Sequence, residues 1–199
     1  MMLSDCANIR TGLVLARKEA KNDRVTQPFQ YKQLTLRSFK ADGLIDTTLL
    51  DSYETNERLS QRYLTQPDDV VIRLTYPYTA VIIEVETRGL VIPSHFAVIR
   101  PDKLKINPHY LLWLLNRDSI KKELAKNNTG TVIGTIKSSF FAGLEIAEIP
   151  LEKQAQMATL HRLAQRETLL LKKLAEQKEL FNNNMLAQYY RYAKRGNQQ

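Results

Sequence analysis

The sequence predicts an α/β (α+β) domain with a curved, mixed sheet over residues 1–150, then a long C-terminal coiled-coil helix over residues 151–195 and a disordered tail over residues 196–199. Three observations lead there. All seven prolines lie at or before Pro150, and residues 151–195 are 45 positions without Pro or Gly, the residues that break helices. Upstream, the β-branched and apolar runs at 70–74 (VVIRL) and 80–85 (AVIIEV) have strand character. Between these runs and the helix, the segment 106–128 repeats its apolar residues at helical spacing.

Taken in chain order, the first strand signal is FQYKQLTL at 29–36, which partly alternates before polar residues. Residues 46–66 are polar, and the spacing of Leu49, Leu50, Tyr53, Leu59 and Tyr63 suits a loop with a helical turn. Strands follow at 70–74, 80–85 and 95–99, the last behind a Pro-Ser turn. Asn107 is then an N-cap with Pro108 at the first helical position, and Tyr110, Leu111, Leu114, Leu115, Ile120 and Leu124 form a buried stripe. This helix is expected to stop near Asn127 and Asn128, ahead of Gly130, before a polar loop, a short element and a strand.

The C-terminal segment, fully helical, reaches roughly 68 Å at about 1.5 Å per residue, too long to lie within a domain of this size. A heptad register fits Met157, Leu160, Ala164, Leu171, Leu174, Phe181, Met185 and Tyr192, with Glu167, Lys178 and Gln188 as polar interruptions of the same seam. Pairing with a second helix is the expectation. The competing reading is one amphipathic helix folded back on the domain.

Composition excludes several chemistries. Cys6 is the only cysteine, so no intramolecular disulfide forms, and His95, His109 and His161 are too scattered for a ligand motif; neither metal nor cofactor is expected. There is no apolar run of membrane-spanning length and no signal core, so a cytoplasmic protein is expected. The net charge of +8 favours a polyanionic partner, but it is unevenly spread: residues 1–150 carry 20 Lys/Arg against 17 Asp/Glu, and residues 151–199 carry 9 against 4. Any nucleic-acid surface on the first part is therefore a local patch.

Catalytic motifs are missing. Asn107-Pro108-His109-Tyr110 resembles the Asn-Pro-Pro-Tyr signature of amino-methyltransferases, but its third position breaks the match and no Gly-rich strand-to-helix turn accompanies it. A helix cap accounts for the same four residues. The glycines at 130 and 134 lack the lysine and spacing of a phosphate-binding loop. Asp68-Asp69 and Glu84-Val85-Glu86 suit solvated turns or one strand face better than a nuclease centre. No catalytic residue is assigned.

Side chains that bond phosphates and base edges are more numerous. Lys126, Asn127, Asn128, Thr129 and Thr131, followed by Lys137 and Ser138, place cations, amides and hydroxyls on a glycine-containing loop. Arg73 with Tyr76, and Arg17 with Lys18, are secondary patches. Each taken alone is better read as a solvated surface.

The order of four segments resembles the specificity subunits of type I restriction-modification enzymes: GLVIPSHFAVIRPD, INPHYLLWLLNR, NNTGTVIGTIK and LEIAEIPLEKQAQMATL. The family pattern matches at Ser94 before the aromatic-apolar run, Tyr110-Leu111 and Asn116 in the helix, Thr129-Gly130 in the loop, Leu144 and Ile146 at the exit, and Glu152 with Gln154 opening the last helix. Leu3-Ser4-Asp5 and Thr11-Gly12 are similar to the family's opening turn. The likeness covers residues 1–15 and 65–175; Ala147-Glu148-Ile149-Pro150 and Pro67-Asp68-Asp69 depart from it.

This resemblance implies a target-recognition domain and a helix that pairs antiparallel with another as a ruler between half-sites. Members usually carry two of each, so one copy implies a half subunit that forms a homodimer through its helix, with Glu167 approaching Lys178 across the axis. Partners would be double-stranded DNA, DNA methyltransferase (modification) subunits and a restriction subunit where one is present. The alternatives are a coiled-coil adaptor that binds protein alone and an enzyme whose site has no recognisable motif.

Overall fold

The computed structural model describes residues 1–20, 28–40, 42–127 and 135–196. The chain divides into two units, Met1–Ala158 and Thr159–Gln199. In the first, a four-stranded sheet of order β1-β6-β4-β5 comprises β1 (Ala7–Thr11), β6 (Phe96–Pro101), β4 (Val70–Arg73) and β5 (Ala80–Ile82). A two-stranded sheet pairs β2 (Phe29–Gln33) with β3 (Asp51–Thr55). Pairing within both sheets is antiparallel, and parallel pairing among the described residues is confined to the single bridges Leu13 to Pro93 and Gln33 to Val91.

The larger sheet is covered on both faces, which is why its strands read as continuous apolar runs instead of alternating ones. Val70, Ile72, Ala80, Ile82, Ala97 and Ile99 point to one core with Leu111, Leu115, Leu124 and Phe141 from the helices. Val71, Val81, Phe96 and Val98 point to the other with Leu34, Phe39 and Ile92. There Phe39 stacks on Phe96 with ring centres 4.6 Å apart. β1 and β3 lie in segments where no strand was expected, because their sequences, ANIRT and DSYET, are largely polar. β1 is an edge strand held by its register on β6, Ala7 opposite Pro101 through Thr11 opposite Ala97.

The single helix expected at 107–128 is two: α1 (Pro108–Asn116) and α2 (Asp118–Lys126). The cap is as expected, with the Asn107 side chain accepting from the backbone N–H of His109 and Tyr110. The break has a local cause. Asn116 accepts from Ala80 N at 3.1 Å and donates to the carbonyls of Ala80 and Leu112, which ties α1 to β5, and Arg117 turns extended before Asp118 starts the next helix.

After α3 (Ser138–Ala142), residues 144–146 return to the N-terminus: Leu3 N donates to Leu144 O and Ile146 N to Met1 O. The last helix, α4, spans Leu151–Gly196, and residues 197–199 of the expected tail lie outside the described residues. Its first two turns belong to the domain. Gln154, 1% exposed, accepts from Asn107 N at 2.8 Å and donates to Ile149 O at 2.7 Å, and Met157 and Ala158 pack on the core. The exposed stripe of the second unit therefore begins at Leu160, one layer later than the seam read from sequence, and runs through Leu171, Leu174, Phe181, Met185 and Tyr192.

Candidate nucleic-acid interface

Antiparallel pairing puts the C-terminal ends of β1 and β4 beside the N-terminal end of β6, so segments far apart in sequence meet at one end of the sheet. Gly12 N donates to Phe96 O at 3.0 Å, Leu74 N to His95 O at 3.0 Å and Ile136 N to Leu74 O at 2.9 Å. The Thr11 hydroxyl donates to Ser138 Oγ at 2.9 Å. Gly12 is required there: a Cβ would sit 2.2 Å from Pro93 O and 2.3 Å from Ile92 O, both backbone atoms. This close crossing seats Thr11 beside α3 and leaves Ser94 and His95 at the sheet end.

Arg73 closes β4 opposite Phe96. Its Nη2 lies 3.5 Å from Tyr76 O, while its Nε is buried with no acceptor among the described residues. Burial holds the guanidinium below its ordinary pKa. His95 packs its ring against Phe96, and burial together with the Arg73 charge pushes its pKa down, so the imidazole favours the neutral form, which both donates and accepts hydrogen bonds. Tyr76 follows, 76% exposed and edge-on to Tyr78, which is itself in the left-handed region at φ 55°. An exposed phenol, a cation, an imidazole and two hydroxyls on one rim can bond phosphates and base edges and offer a stacking face.

Lys137 and Ser138 of the sequence-derived set join Arg73 and Tyr76 through the Ile136 and Thr11 contacts; Lys137 is exposed at the start of α3. Lys126 is exposed at the end of α2, and the Asn127 amide is spent on the carbonyl of Glu123 at 2.9 Å. Asn128, Thr129 and Thr131 lie outside the described residues. Arg17 and Lys18 belong to the passage toward the small sheet, where Lys18 pairs with Glu57, so its charge is already met. His95 was not singled out from sequence, and Thr11 and Ser94 only as motif positions; pairing register brings them together.

A second basic cluster also escaped the sequence. Asp69, 0% exposed, receives Arg100 Nε at 2.6 Å and Nη2 at 2.7 Å, and Arg10 nearby donates from Nε to Arg62 O at 2.8 Å. Desolvation and the Arg100 charge hold Arg10 below its ordinary pKa. Among the described residues no group of three or more His, Cys, Asp or Glu is placed to hold a metal, and no helix is long and apolar enough to cross a membrane.

With an antiparallel sheet covered on both faces and a domain that runs into one long helix, the chain has the fold of a type I restriction-modification specificity subunit. A structure of a type I R-M system, solved for its complex assembly and conformational transition, matches 90% of this chain with TM-score 0.67 and 17% identity. The crystal structure of the HsdS subunit from Thermoanaerobacter tengcongensis matches 87% with TM-score 0.58 and 15% identity. The chain spans less than half of each neighbour, 45% and 38% of their lengths. No family model and no curated protein matches the sequence.

Proposed function

We propose that the chain is a sequence-specific DNA-binding specificity subunit that brings type I modification subunits, and a restriction subunit where one is present, to a target site. The observation that supports this most is the coincidence of the specificity-subunit fold with a polar, cationic rim at one sheet end, where Arg73, Tyr76, His95, Lys137, Ser138 and Thr11 come from four separate segments. Lys126, Asn127, Asn128, Thr129 and Thr131 belong to the DNA-binding set in this reading. The chain is non-catalytic and acts in the cytoplasm; methyl transfer and cleavage belong to its partners.

In this reading the working form is a homodimer through α4. Met157 anchors the helix root, Leu160, Leu171, Leu174, Phe181 and Met185 line the pairing seam, and Leu169, Leu180 and Leu186 on other faces are open to a modification subunit. The test is selection from a random-sequence duplex library by the purified chain, alone and with a methyltransferase subunit, with a salt titration. Enrichment of a bipartite, two-fold symmetric sequence, lost in the Tyr76→Ala variant, is expected. Salt-sensitive binding without enrichment, or no binding in either form, overturns the proposal, and the latter favours a protein adaptor.

A further inference from the structure

Three guanidiniums share one carboxylate at the β1 edge of the larger sheet. Alternation along β1 puts Asn8 and Arg10 on one face, and the register on β6 puts Arg100 on that face as well, directly across from Asn8. Asp69, just before β4, is the acid of this group, and its oxygens already accept from Arg100 Nε, Arg100 Nη2 and Gln66 N. The neighbouring Asp68 is bound to Lys103 instead. Arg10 donates from Nε to Arg62 O at 2.8 Å and from Nη1 to Asn8 Oδ1 at 3.4 Å, but its Nη2 is buried with no acceptor among the described residues. Arg62 is exposed, its guanidinium 5.0 Å from the centre of the Tyr63 ring, and among the described residues it has no ion-pair partner. Arg100 and Arg62 both repel the Arg10 charge, which Asp69 alone attracts among the described residues. The cluster therefore holds a surplus of positive charge and an unspent donor.

We infer that Arg10 and Arg62, backed by Arg100, form an anion site that takes one phosphate of the DNA backbone beside the rim and positions the duplex without reading its sequence. A phosphate oxygen supplies the acceptor that Arg10 Nη2 lacks and a counter-charge for Arg62, whose exposed side chain can close over it. Placement favours DNA over a carboxylate of a partner protein. Arg73, the cation of the rim, stands on the same sheet face, opposite Phe96 on β6 as Arg10 stands opposite Val98, and it too has a buried donor, Nε, with no acceptor among the described residues. Two strand spacings across and two residues along separate their backbones by about 12 Å, close to the width of the DNA major groove, so one duplex spans both. Thr11, the next residue of β1, points to the opposite face and bonds Ser138 of the rim. β1 thus turns one side chain to the rim and the preceding one to the anion site. Contacts to phosphate set orientation and register, while the rim is left to distinguish bases.

The inference rests on the DNA-binding reading above and assigns it a second, separable contact. Fluorescence anisotropy of the full chain, with a methyltransferase subunit if the chain needs one, tests it on the duplex enriched by selection and on a scrambled duplex of equal length, each titrated with salt. The variants are Arg62→Gln and Arg10→Gln, with thermal melting as the check on folding; if Arg10→Gln does not fold, the exposed Arg62 decides the matter. One phosphate contact contributes a slope of about 0.9 in log affinity against log salt, so at about 0.1 M salt each variant is expected to bind both duplexes about eightfold more weakly, with the slope reduced by about one. The ratio of affinities for the two duplexes is expected to stay at the parent value, whereas Tyr76→Ala lowers it. A folded Arg62→Gln with the parent's affinity and slope overturns the site, and a changed ratio overturns its sequence-independent role. Loss of methyltransferase binding with DNA affinity intact also overturns it and assigns the cluster to a protein carboxylate. A parent chain that binds neither duplex overturns the DNA-binding reading itself, and this inference with it.

Discussion

Replacing Arg100 by Met isolates the energetics of the ion pair that joins β6 to Asp69, the residue before β4. Asp69 is fully buried, and its carboxylate has three donors: Arg100 Nε at 2.6 Å, Arg100 Nη2 at 2.7 Å and Gln66 N at 2.9 Å. Met fills the space of the aliphatic stem but leaves the anion with one backbone donor. Stranding a buried charge in this way costs about 3–5 kcal/mol. Arg10 stands close enough to interact with Asp69 and the Arg100 side chain is 28% exposed, so the lower end, about 3 kcal/mol, applies. For a unit of this size that lowers the melting temperature by about 6–12 °C. Thermal unfolding followed by near-ultraviolet circular dichroism measures it, alongside Asp69→Asn combined with Arg100→Met, which removes both charges and is expected to recover most of the loss. A single-variant loss below about 1 kcal/mol would refute the reasoning, since that is what a solvated surface pair contributes.

Gly12→Ala is expected to destabilise the domain by more than about 3 kcal/mol or prevent its folding, because the backbone carbonyls of Ile92 and Pro93 leave no room for the added Cβ; expression and unfolding of the variant decide it. Gln154→Ala removes the acceptor for Asn107 N and the donor to Ile149 O in a buried setting and is expected to cost about 1–3 kcal/mol in denaturant unfolding, whereas a neutral result would mean the root of α4 is held by packing alone. His95 titrates lower in the folded chain than its ordinary value of 6.5, so as the pH falls below about 6.5 the unfolded chain takes up a proton that the folded one resists, and stability drops with it. Comparing unfolding at about pH 7.5 and pH 5.5, His95→Gln is expected to show a smaller acid loss than the parent; an equal loss would assign the effect to other groups.

Local chemistry made much of the fold legible in advance. The last helix was visible because its 45 residues hold neither Pro nor Gly and repeat apolar residues at heptad spacing, and the start of α1 because Asn107 and Pro108 encode a cap within three positions. The core strands were visible because both faces of the sheet are buried, which turns each into a run of apolar residues. β1 and β3 were not, since an edge strand and a two-stranded sheet leave much of their surface polar and depend on a partner strand for their shape. The break after Asn116 was hidden for a related reason: the groups that cause it belong to Ala80, thirty-six residues earlier. The site follows the same division. Arg73, Tyr76, Lys137 and Ser138 could be nominated by residue type, but that they share one rim, and that Thr11 and His95 complete it, depends on the register of β1 and β4 on β6. Lys18 shows the converse, a plausible basic residue whose charge is taken by Glu57.

The same register ties the segment after α2 both to the sheet end and to the root of α4. Residues 135–150 are held at one point by Leu74 and Thr11 at the sheet end, and at another by Met1 and Leu3 through Leu144 and Ile146. They then enter α4, whose Gln154 is bonded to the residue that caps α1. The sheet end is therefore joined to the first turns of α4 by a path of hydrogen bonds that contains no glycine except Gly143, directly after α3. In the function proposed above, a rim anchored in this way passes its position on to the root of α4 with little bending inside the domain.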